Sequence, residues 1–469
     1  MKNISRRNFL KNTGTAAVGA MVLPNLMSCS RNGIVNVAIV GVNGRGKGNW
    51  LGMITESYDR KTNERTLNPH VRIVALCDVN KENLAQTSEK LPGAKTFQDF
   101  RVMLDTMHRD IDAVVVSTPD HTHFAITMAA MEMGKHVYVE KPLAHNVWQL
   151  RTLKKAAKYY NVVNQLGNQG HSTDGIRDIK EWYDLGILGE VKEVHAWFHG
   201  PDFITGSFRK PQKYPPVGQP IPEHMDWDLW LGPAKERAYN SIYAPRFWRG
   251  WYEMGNGELG DWACHTLDAP YWALDLGSPS VIEPEHAKLS MLPHQYVTDE
   301  SILRFEFPQR GHKPPVTMRW YEGGMLPVLK PEWNIPKLNK TGGLIMVGEK
   351  MTLMTTTPRP NNPVLMMPGG EWEEFKKKGW EQTIPRVPGQ NQYKEFINAI
   401  RGAGPMPGSD FEYGGGLTEM ALMGVMAQRF NRRIEFDAAN MKITNHPELN
   451  AFIKEEVRPG WQYGEKLWK

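Results

Sequence analysis

The chain has 469 residues, of which 41% are hydrophobic, and its formal net charge is +5. That length suits two or three domains, and no interior stretch stays apolar for the roughly 18 residues that a membrane-spanning helix requires, which excludes a polytopic membrane protein. Without residues 1–28, which hold four basic residues and no acid, 52 basic residues stand against 51 acidic ones. This balance gives no support to nucleic-acid binding.

The first 28 residues resemble an export signal rather than a part of the fold. "SRRNFLK" (residues 5–11) precedes a short apolar stretch and resembles a twin-arginine signal, although a chance basic pair would look the same. "LMSC" (26–29) resembles a lipoprotein processing box with Cys29 as the acylated residue, and ordinary cleavage nearby is the alternative. We therefore expect an exported protein, periplasmic or in the cell envelope, with a lipid anchor through Cys29 as one option.

Residues 33–160 alternate short apolar runs with helical patterns. Strands are predicted at 35–41, 71–78, 111–119 and 135–140, and helices at 124–134 and 147–161. Alternation of this kind is typical of a doubly wound parallel sheet of the Rossmann type.

Residues 161–469 have a different pattern. Longer runs that alternate polar and apolar residues predict strands at 190–200, 301–308 and 314–324, with helices at 391–401 and about 415–430. Pro- and Gly-rich loops separate these runs, which indicates an antiparallel sheet with one covered face in a second α/β domain.

The first strand leads into the turn Gly41-Val42-Asn43-Gly44-Arg45-Gly46. A dinucleotide-binding turn reads G-x-G-x-x-G, so Asn43 stands in place of the second glycine. Asparagine tolerates left-handed backbone angles, and Gly44 beside it adds conformational freedom to the backbone. We therefore expect the turn to remain able to bind a dinucleotide. The following helix would point its first amides at a pyrophosphate.

The second predicted strand ends in Asp78, after a polar insertion at about 57–70. An acidic residue there would bind the adenosine ribose hydroxyls and disfavour a 2′-phosphate, which predicts NAD rather than NADP. The alternative is that Asp78 only forms the turn after the strand.

The fourth predicted strand stops abruptly at Glu140-Lys141-Pro142. Proline cannot donate to a sheet ladder and favours an extended conformation at the preceding residue. The sequence therefore predicts a lysine held in a defined position at the end of a buried strand.

"VVVSTPDHTHFAITMAAMEMGKHVYVEKPLA" (114–144) resembles the Gfo/Idh/MocA family of oxidoreductases, the glucose–fructose oxidoreductase and inositol dehydrogenase group. "GNQGHS" (167–172) and "GDWACHTLD" (260–268) extend the likeness, which covers essentially all residues after the signal. The resemblance implies an NAD-binding Rossmann domain followed by an α/β domain with a large, mostly antiparallel sheet. It also implies a small carbohydrate substrate and a homodimer or homotetramer.

In that family, Lys141 would lie beside the nicotinamide and bind the reacting oxygen of the substrate. The family's Asp-x-x-x-His motif falls on Asp261 and His265, which would share one face of a helix at about 258–276. His265 is the expected base and Asp261 the group that orients it or the substrate, while the role of Asp268 stays open. A buried structural histidine is the alternative for His265.

The resemblance extends the list of candidate contacts. The expected cofactor contacts are Gly41, Asn43, Gly44, Arg45, Gly46, Asp78, Thr118, Pro119, His123, Glu140 and Lys141. Residue types alone predict substrate contacts at Gln165, Asn168 and His171, which can bind hydroxyls, although some of them would serve the fold only. The clustered aromatic residues add Trp248 and Arg249, with Trp251 as a further candidate, and core packing is the alternative for the tryptophans. His121 is expected to serve the loop, and no ligand spacing predicts a metal site.

Three functions fit these expectations. The first is an exported NAD-dependent oxidoreductase that acts on a secondary hydroxyl of a sugar, glycoside or polyol, such as one at C3, and keeps its cofactor tightly bound. The second is a glycoside hydrolase that uses the same cofactor to form a transient ketone. The third is a non-catalytic sugar-binding lipoprotein that keeps only the fold.

Overall fold

The structure is a computed structural model that describes residues 33–59, 61–200 and 207–469. The predicted export signal and Cys29 lie outside the described residues.

Eight strands form in the first part of the chain, as far as the structure describes it. They are β1 (Val35–Val40), β2 (Thr55–Tyr58), β3 (Arg65–Leu67), β4 (Val71–Cys77), β5 (Lys95–Phe97), β6 (Ala113–Val116), β7 (His136–Glu140) and β8 (Asn164–Gly167). Six of them pair in the order β5-β4-β1-β6-β7-β8, all parallel. This is the strand order of a Rossmann fold, as predicted, and it places a crevice between the carboxyl ends of β1 and β6.

Five helices cover this sheet. They are α1 (Arg45–Met53), α2 (Lys81–Ser88), α3 (Phe100–Met107), α4 (Asp120–Glu132) and α5 (Val147–Tyr160). Side chains at their N-termini explain where three of them begin: Asn80, Asp99 and Asn146 accept backbone N–H groups from the first turns of α2, α3 and α5. The helices cover both faces of the sheet, so β6 and β7 are buried at every residue.

Two features of this domain differ from the prediction. The polar insertion forms a β-hairpin of β2 and β3, which lies outside the main sheet. In addition, β8 lies beyond the expected domain boundary after residue 160, yet it pairs with β7 at the edge of the parallel sheet. The Rossmann sheet therefore extends one strand further along the chain than the change of pattern indicates.

The second sheet has nine strands. They are β9 (Val191–Phe198), β10 (Val281–Lys288), β11 (Glu300–Phe307), β12 (Val316–Glu322), β13 (Gly342–Gly348), β14 (Thr352–Thr355), β15 (Pro363–Leu365), β16 (Ile434–Asp437) and β17 (Lys442–Ile443). Their order is β15-β14-β13-β9-β12-β11-β10-β16-β17, and every pair is antiparallel except β9 with β12. The expected large, mostly antiparallel sheet is confirmed.

The described residues of the second part of the chain form seven α-helices. They are α6 (Asp174–Asp184), α7 (Trp227–Leu231), α8 (Gly257–Thr266), α9 (Asp268–Ala273), α10 (Glu371–Lys378), α11 (Gln392–Ile400) and α12 (Phe411–Phe430). The single helix predicted over 258–276 is wrong, because the chain breaks at Leu267 into α8 and α9. Helix α12 contacts α5 and β8 of the first domain and α8 and β10 of the second, so the two domains share one core.

Within the described residues, no helix combines the length and the apolar character needed to cross a membrane.

Candidate active site

A cavity of about 810 Å³ opens where the carboxyl ends of β1, β4, β6 and β7 face α8. Ligands of open α/β sheets bind at this edge, where the strand order reverses. The cavity extends from the glycine turn and Asp78 to Lys141 and Asp261, and it continues along an aromatic wall. Nucleotide and substrate candidates therefore line one continuous space.

The glycine turn has the shape that a dinucleotide requires. Gly41 has φ +83°, and a Cβ at this position would lie 2.5 Å from the carbonyl oxygen of Ser117. A Cβ on Gly46 would lie 1.8 Å from the carbonyl oxygen of Gly41, so Gly46 packs beneath the turn and does not line the cavity. Around Gly44, a Cβ would meet no atom within 4 Å, which leaves room for a ligand close to the backbone.

Asn43 holds this turn through its side chain. The left-handed angle that we expected Asn43 to tolerate falls on Gly44, whose φ is 54°. Asn43 Oδ1 accepts the Gly44 N–H at 2.8 Å, and Asn43 Nδ2 donates to Asn83 Oδ1 at 2.9 Å. The asparagine that replaces the second glycine thus connects the turn to α2.

Asp78 holds the backbone on both sides of the β4 end and also lines the cavity. The backbone N–H groups of Val42 and Asn80 donate to its two carboxylate oxygens at 3.1 and 2.9 Å, so Asp78 stabilises both turns beside it. It also lines the cavity next to Gly41 and Asn43. Burial raises the pKa of Asp78, and these hydrogen bonds oppose that rise.

The side chain of Glu140 binds side chains of α1 and does not pair with Lys141. Arg45 Nε donates to Glu140 Oε1 at 3.0 Å, and Asn49 Nδ2 donates to the same oxygen at 2.9 Å. Arg45 also donates to the hydroxyl of Tyr393 in α11 at 2.9 Å. Arg45 and Glu140 both line the cavity, and their ion pair fixes the start of α1 against the end of β7.

Lys141, Asp261 and Arg249 form a charged group on the cavity wall. Lys141 Nζ donates to Asp261 Oδ1, and Arg249 Nε lies 3.7 Å from that oxygen. Burial favours the protonated form of Asp261, but the positive charges of Lys141 and Arg249 outweigh it and hold the pKa below its usual value. The carboxylate is therefore ionised and shared between two cations.

His265 lies one helical turn beyond Asp261 on α8, and it is buried behind the cavity lining. Its Nδ1 is 3.2 Å from Asn168 Oδ1, and its ring packs against Trp262. Burial lowers the pKa of His265 well below its usual value, and nearby Arg359 and Lys141 lower it further. The imidazole is consequently neutral at neutral pH.

The predicted substrate contacts separate into two groups. Trp248 and Arg249 line the cavity, with the guanidinium of Arg249 4.3 Å from the centre of the Trp248 ring. Trp251 belongs to the core, where its indole N–H donates to a backbone carbonyl. Gln165 and His171 do not line the cavity, because their side chains bind acidic residues in the interior. Asn168 likewise contacts His265 rather than the cavity.

The interior contacts of the second group explain this placement. Gln165 Nε2 donates to Glu395 at 3.4 Å. His171 Nδ1 lies 3.0 Å from Asp268, which also accepts a hydrogen bond of 2.6 Å from the Tyr413 hydroxyl. Asp268 therefore belongs to a buried structural cluster at the start of α9.

The loop after β6 contributes Thr118 and Pro119 to the cavity lining, but not His123. The two ring nitrogens of His123 lie 2.8 Å from the carbonyl oxygen of Pro142 and 2.9 Å from that of Thr118. His123 thus holds the loop after β6 against the loop after β7. His121 similarly contacts two backbone carbonyls, and burial lowers its pKa to about 3.

Sequence reasoning missed several residues that line the cavity. Asp120 follows Thr118 and Pro119, and its Oδ2 accepts both the backbone and the side-chain N–H of Asn256 at 3.1 Å. Burial raises the pKa of Asp120. Its place after a parallel strand was a signal that could have identified it. Further missed lining residues are Phe198, Glu258, Trp262 and Trp461.

The residues present fit a dinucleotide. The cradle at Gly41 and Gly44 allows close approach to the backbone, the N-terminus of α1 faces the cavity, and Asp78 lies where ribose hydroxyls need an acceptor. Among the described residues, no group of histidine, cysteine and acidic side chains is arranged to hold a metal ion.

Two family models match the chain. One describes an oxidoreductase family with an NAD-binding Rossmann fold and matches residues 35–168. The other describes the C-terminal alpha/beta domain of an oxidoreductase family and matches residues 176–287. Together they cover just over half of the chain.

Relatives with assigned names match shorter stretches. A levoglucosan dehydrogenase of Pseudarthrobacter phenanthrenivorans is 28% identical over 116 residues, which are 25% of this chain and 29% of that protein. A glycosyl hydrolase family 109 protein of Solibacter usitatus is 30% identical over 219 residues, 42% of this chain and 47% of that protein. The chain thus spans less than half the length of each of these two relatives.

Solved structures share the fold at low sequence identity. The WlbA dehydrogenase of Chromobacterium violaceum, in complex with NADH and UDP-GlcNAcA, has a TM-score of 0.59 at 18% identity and covers 89% of this chain and 99% of its own. A levoglucosan dehydrogenase in complex with NADH and levoglucosan has a TM-score of 0.57 at 17% identity, with coverage of 86% and 99%. The chain belongs to the Gfo/Idh/MocA family of oxidoreductases, and residues 35–168 are its NAD-binding Rossmann domain.

Proposed function

We propose that the protein is an exported NAD-dependent oxidoreductase that acts on a secondary hydroxyl of a sugar, glycoside or polyol. The observation that carries this proposal is the continuous cavity, which joins the glycine turn and Asp78 to the Lys141–Asp261 pair. Beyond that pair, Trp262 and Phe198 stack with ring centres 4.0 Å apart, and such aromatic faces suit a sugar ring. The name of the levoglucosan dehydrogenase relative supports a carbohydrate substrate.

When bound, NAD supplies the acceptor for a hydride from the carbon that bears the hydroxyl. Lys141 is positioned to donate a hydrogen bond to that hydroxyl oxygen and to stabilise its negative charge as the proton leaves. Asp261 accepts a hydrogen bond from the ammonium group of Lys141 and is itself paired with Arg249, so the ammonium group is held in place at the cavity wall. Because a buried, pre-oriented charge needs no reorganisation, this arrangement favours the charged oxygen over the neutral hydroxyl.

The hydroxyl proton needs an acceptor, and His265 is the proposed one. Its lowered pKa leaves it neutral at neutral pH, so a ring nitrogen is free of the proton that would block acceptance. Lys141 and Asp261 line the cavity, whereas His265 lies one turn deeper on α8. We infer that the ionised carboxylate of Asp261 accepts the hydroxyl proton first and passes it on to His265, one turn deeper on α8.

Export of the protein would require that it carry its own cofactor. We propose that the twin-arginine signal carries the folded protein out with NAD already inside, because free NAD is scarce outside the cytoplasm. Acylation of Cys29 would then anchor the protein in the cell envelope. We also propose a homodimer or homotetramer, which light scattering on the purified mature chain would test.

A second function, hydrolysis of a glycoside through a transient ketone, is favoured by one observation. The carboxyl group of Asp120 also lines the cavity, and its burial raises its pKa and so favours the protonated form that an acid catalyst needs. The glycosyl hydrolase family 109 relative supports this alternative.

Two measurements separate the functions. Mass spectrometry of the denatured protein should detect released NAD, and a screen of sugars and glycosides should identify one that reduces it. Release of a chromogenic aglycone without an external acceptor would favour hydrolysis, and Asp120→Asn should then lose aglycone release while still reducing NAD. A protein that neither contains nor binds NAD would refute both functions and leave a sugar-binding role.

A further inference from the structure

Two segments of the second domain cross over the Asp78 end of the cavity. The first is the stretch 223–234, which includes α7, and the second is the stretch 456–463 near the end of the chain. We call these two segments together the strap. Both lie far in sequence from the Rossmann domain, and both contribute residues to the lining of its cofactor cavity.

The first segment pairs with the backbone directly after Asp78. The N–H of Lys81 donates to the carbonyl of His224 at 2.8 Å, and the N–H of Asp226 donates to the carbonyl of Val79 at 3.0 Å. Asn80 and Met225 form an antiparallel bridge between these two bonds. The strap is therefore joined to the loop that carries the ribose-binding candidate.

The second segment holds α7 in place from outside. Arg458 donates through Nε to the carbonyl of Gly232 at 2.7 Å, and through its other nitrogens to the carboxylate and carbonyl of Asp228 at 2.7 and 2.8 Å. Only a tenth of the Arg458 side chain is exposed. Because charged groups with several hydrogen bonds make relatively strong contacts, Arg458 fastens the two segments of the strap to each other.

Trp461, in the second segment of the strap, also lines the cavity. Its ring is 3% exposed and lines the cavity beside Phe100. Arg101 lies 4.5 Å from the centre of the Trp461 ring and is bound to Asp99, the residue that caps α3. The tail of the chain is thus attached to the Rossmann domain at the start of α3.

The inner surface of the strap is apolar. Met225, Leu229, Trp230 and Trp461 line the cavity there, and Phe100 and Ile126 face them from the Rossmann domain. An apolar, aromatic slot next to an acidic ribose acceptor has the chemistry to take a purine ring with its sugar.

We propose that the strap encloses the adenosine half of bound NAD, so that the cofactor leaves only when the strap opens. This inference rests on the proposed function, since it concerns the same cofactor. The strap holds the dinucleotide through turnover and through export. Retention is therefore set by contacts such as Arg458 with Asp228, which lie outside the cavity and touch neither cofactor nor substrate.

The test measures release of the cofactor rather than activity. Protein loaded with NADH is mixed with excess NAD, and the decay of bound NADH fluorescence gives the dissociation rate. Arg458→Ala should raise this rate at least about tenfold, because it removes three hydrogen bonds of a charged group. Asp228→Ala, which removes the acidic partner of the same contact, should also raise it.

Arg151→Ala is the matched control, because Arg151 is also largely buried and makes a bidentate pair with Glu419, but on α5 and away from the cavity. Its dissociation rate should stay at the wild-type value even if its melting temperature falls. An Arg458→Ala rate within twofold of wild type, or an equal rise in Arg151→Ala, would overturn the inference. Rapid NADH exchange in the wild-type protein would overturn it while leaving the proposed function intact, whereas failure to bind NADH at all would refute the function.

Discussion

Replacement of Lys141 by methionine tests the centre of the proposed chemistry. The change keeps the approximate length of the side chain but removes the ammonium group that donates a hydrogen bond to Asp261. Loss of one charged donor at a developing oxyanion costs about 2.7–4 kcal/mol, or roughly a hundred- to a thousandfold in rate. We expect Lys141→Met to lower the rate of NAD reduction by that factor.

The stability of this variant should change far less than its rate. Asp261 keeps Arg249 at 3.7 Å, and 21% of the Asp261 side chain is exposed, so its carboxylate is not left as an isolated buried charge. We expect a loss of about 1–2 kcal/mol in the free energy of unfolding. The NAD content after purification should equal that of the wild type, because the glycine turn and Asp78 are untouched.

The assay is a single turnover of the NAD-loaded protein with a sugar from the substrate screen, followed through nicotinamide absorbance. Lys135→Met is the control, since Lys135 immediately precedes β7, at the opposite end of that strand from Lys141, and donates to the carbonyl of His108. It should keep the wild-type rate. A Lys141→Met rate within tenfold of wild type would refute the role assigned to the lysine.

Three further predictions follow from the geometry. Gly46→Ala should abolish NAD binding, because the new Cβ would lie 1.8 Å from the carbonyl oxygen of Gly41. The control is Gly48→Ala, whose Cβ would meet only the end of a flexible side chain at 3.7 Å, and it should bind NAD normally in a titration. Burial lowers the pKa of His136 from 6.5 to about 4, so its neutral form stabilises the fold fully above pH 6.5 and this stabilisation is lost as the pH falls. In urea denaturation, the free energy of unfolding of His136→Asn should fall between pH 7 and pH 5 by about 2 kcal/mol less than that of the wild type. Equal decreases in the two proteins would contradict the lowered pKa of His136. If neutral His265 is the base, the rate of NAD reduction should not fall as the pH passes through about 6.5, and a half-maximal rate there would show that its pKa is not lowered.

The sequence predicted the Rossmann domain well because its signals are local. Uniformly apolar runs mark strands that are buried on both faces, and glycine positions mark backbone that must approach other backbone closely. Gly41 and Gly46 have the steric constraints that the motif predicts. The same locality placed Lys141 at the end of β7 and Asp261 one turn before His265 on α8.

Prediction was weaker where a side chain's partner is remote in sequence. The motif containing Gln165 and His171 suggests hydroxyl-binding groups, but their side chains bind Glu395 and Asp268, which only the packing of α11 and α9 brings near. The edge strand β8 was missed for a related reason: four residues in isolation carry little periodicity, and β8 is defined by its pairing with β7.

By itself, the sequence determined the order of strands and helices around the nucleotide turn, the acidic residue after β4 and the lysine after β7, since each depends on residues close along the chain. Only the tertiary structure decided that Lys141 and Arg249 share the carboxylate of Asp261, that His265 lies behind the cavity rather than in its wall, and that Trp461 lines the cavity beside Phe100. Lys141 and Asp261 are 120 positions apart, and the free-energy cost and gain of bringing such remote residues together depend on the packed core, which no local pattern encodes.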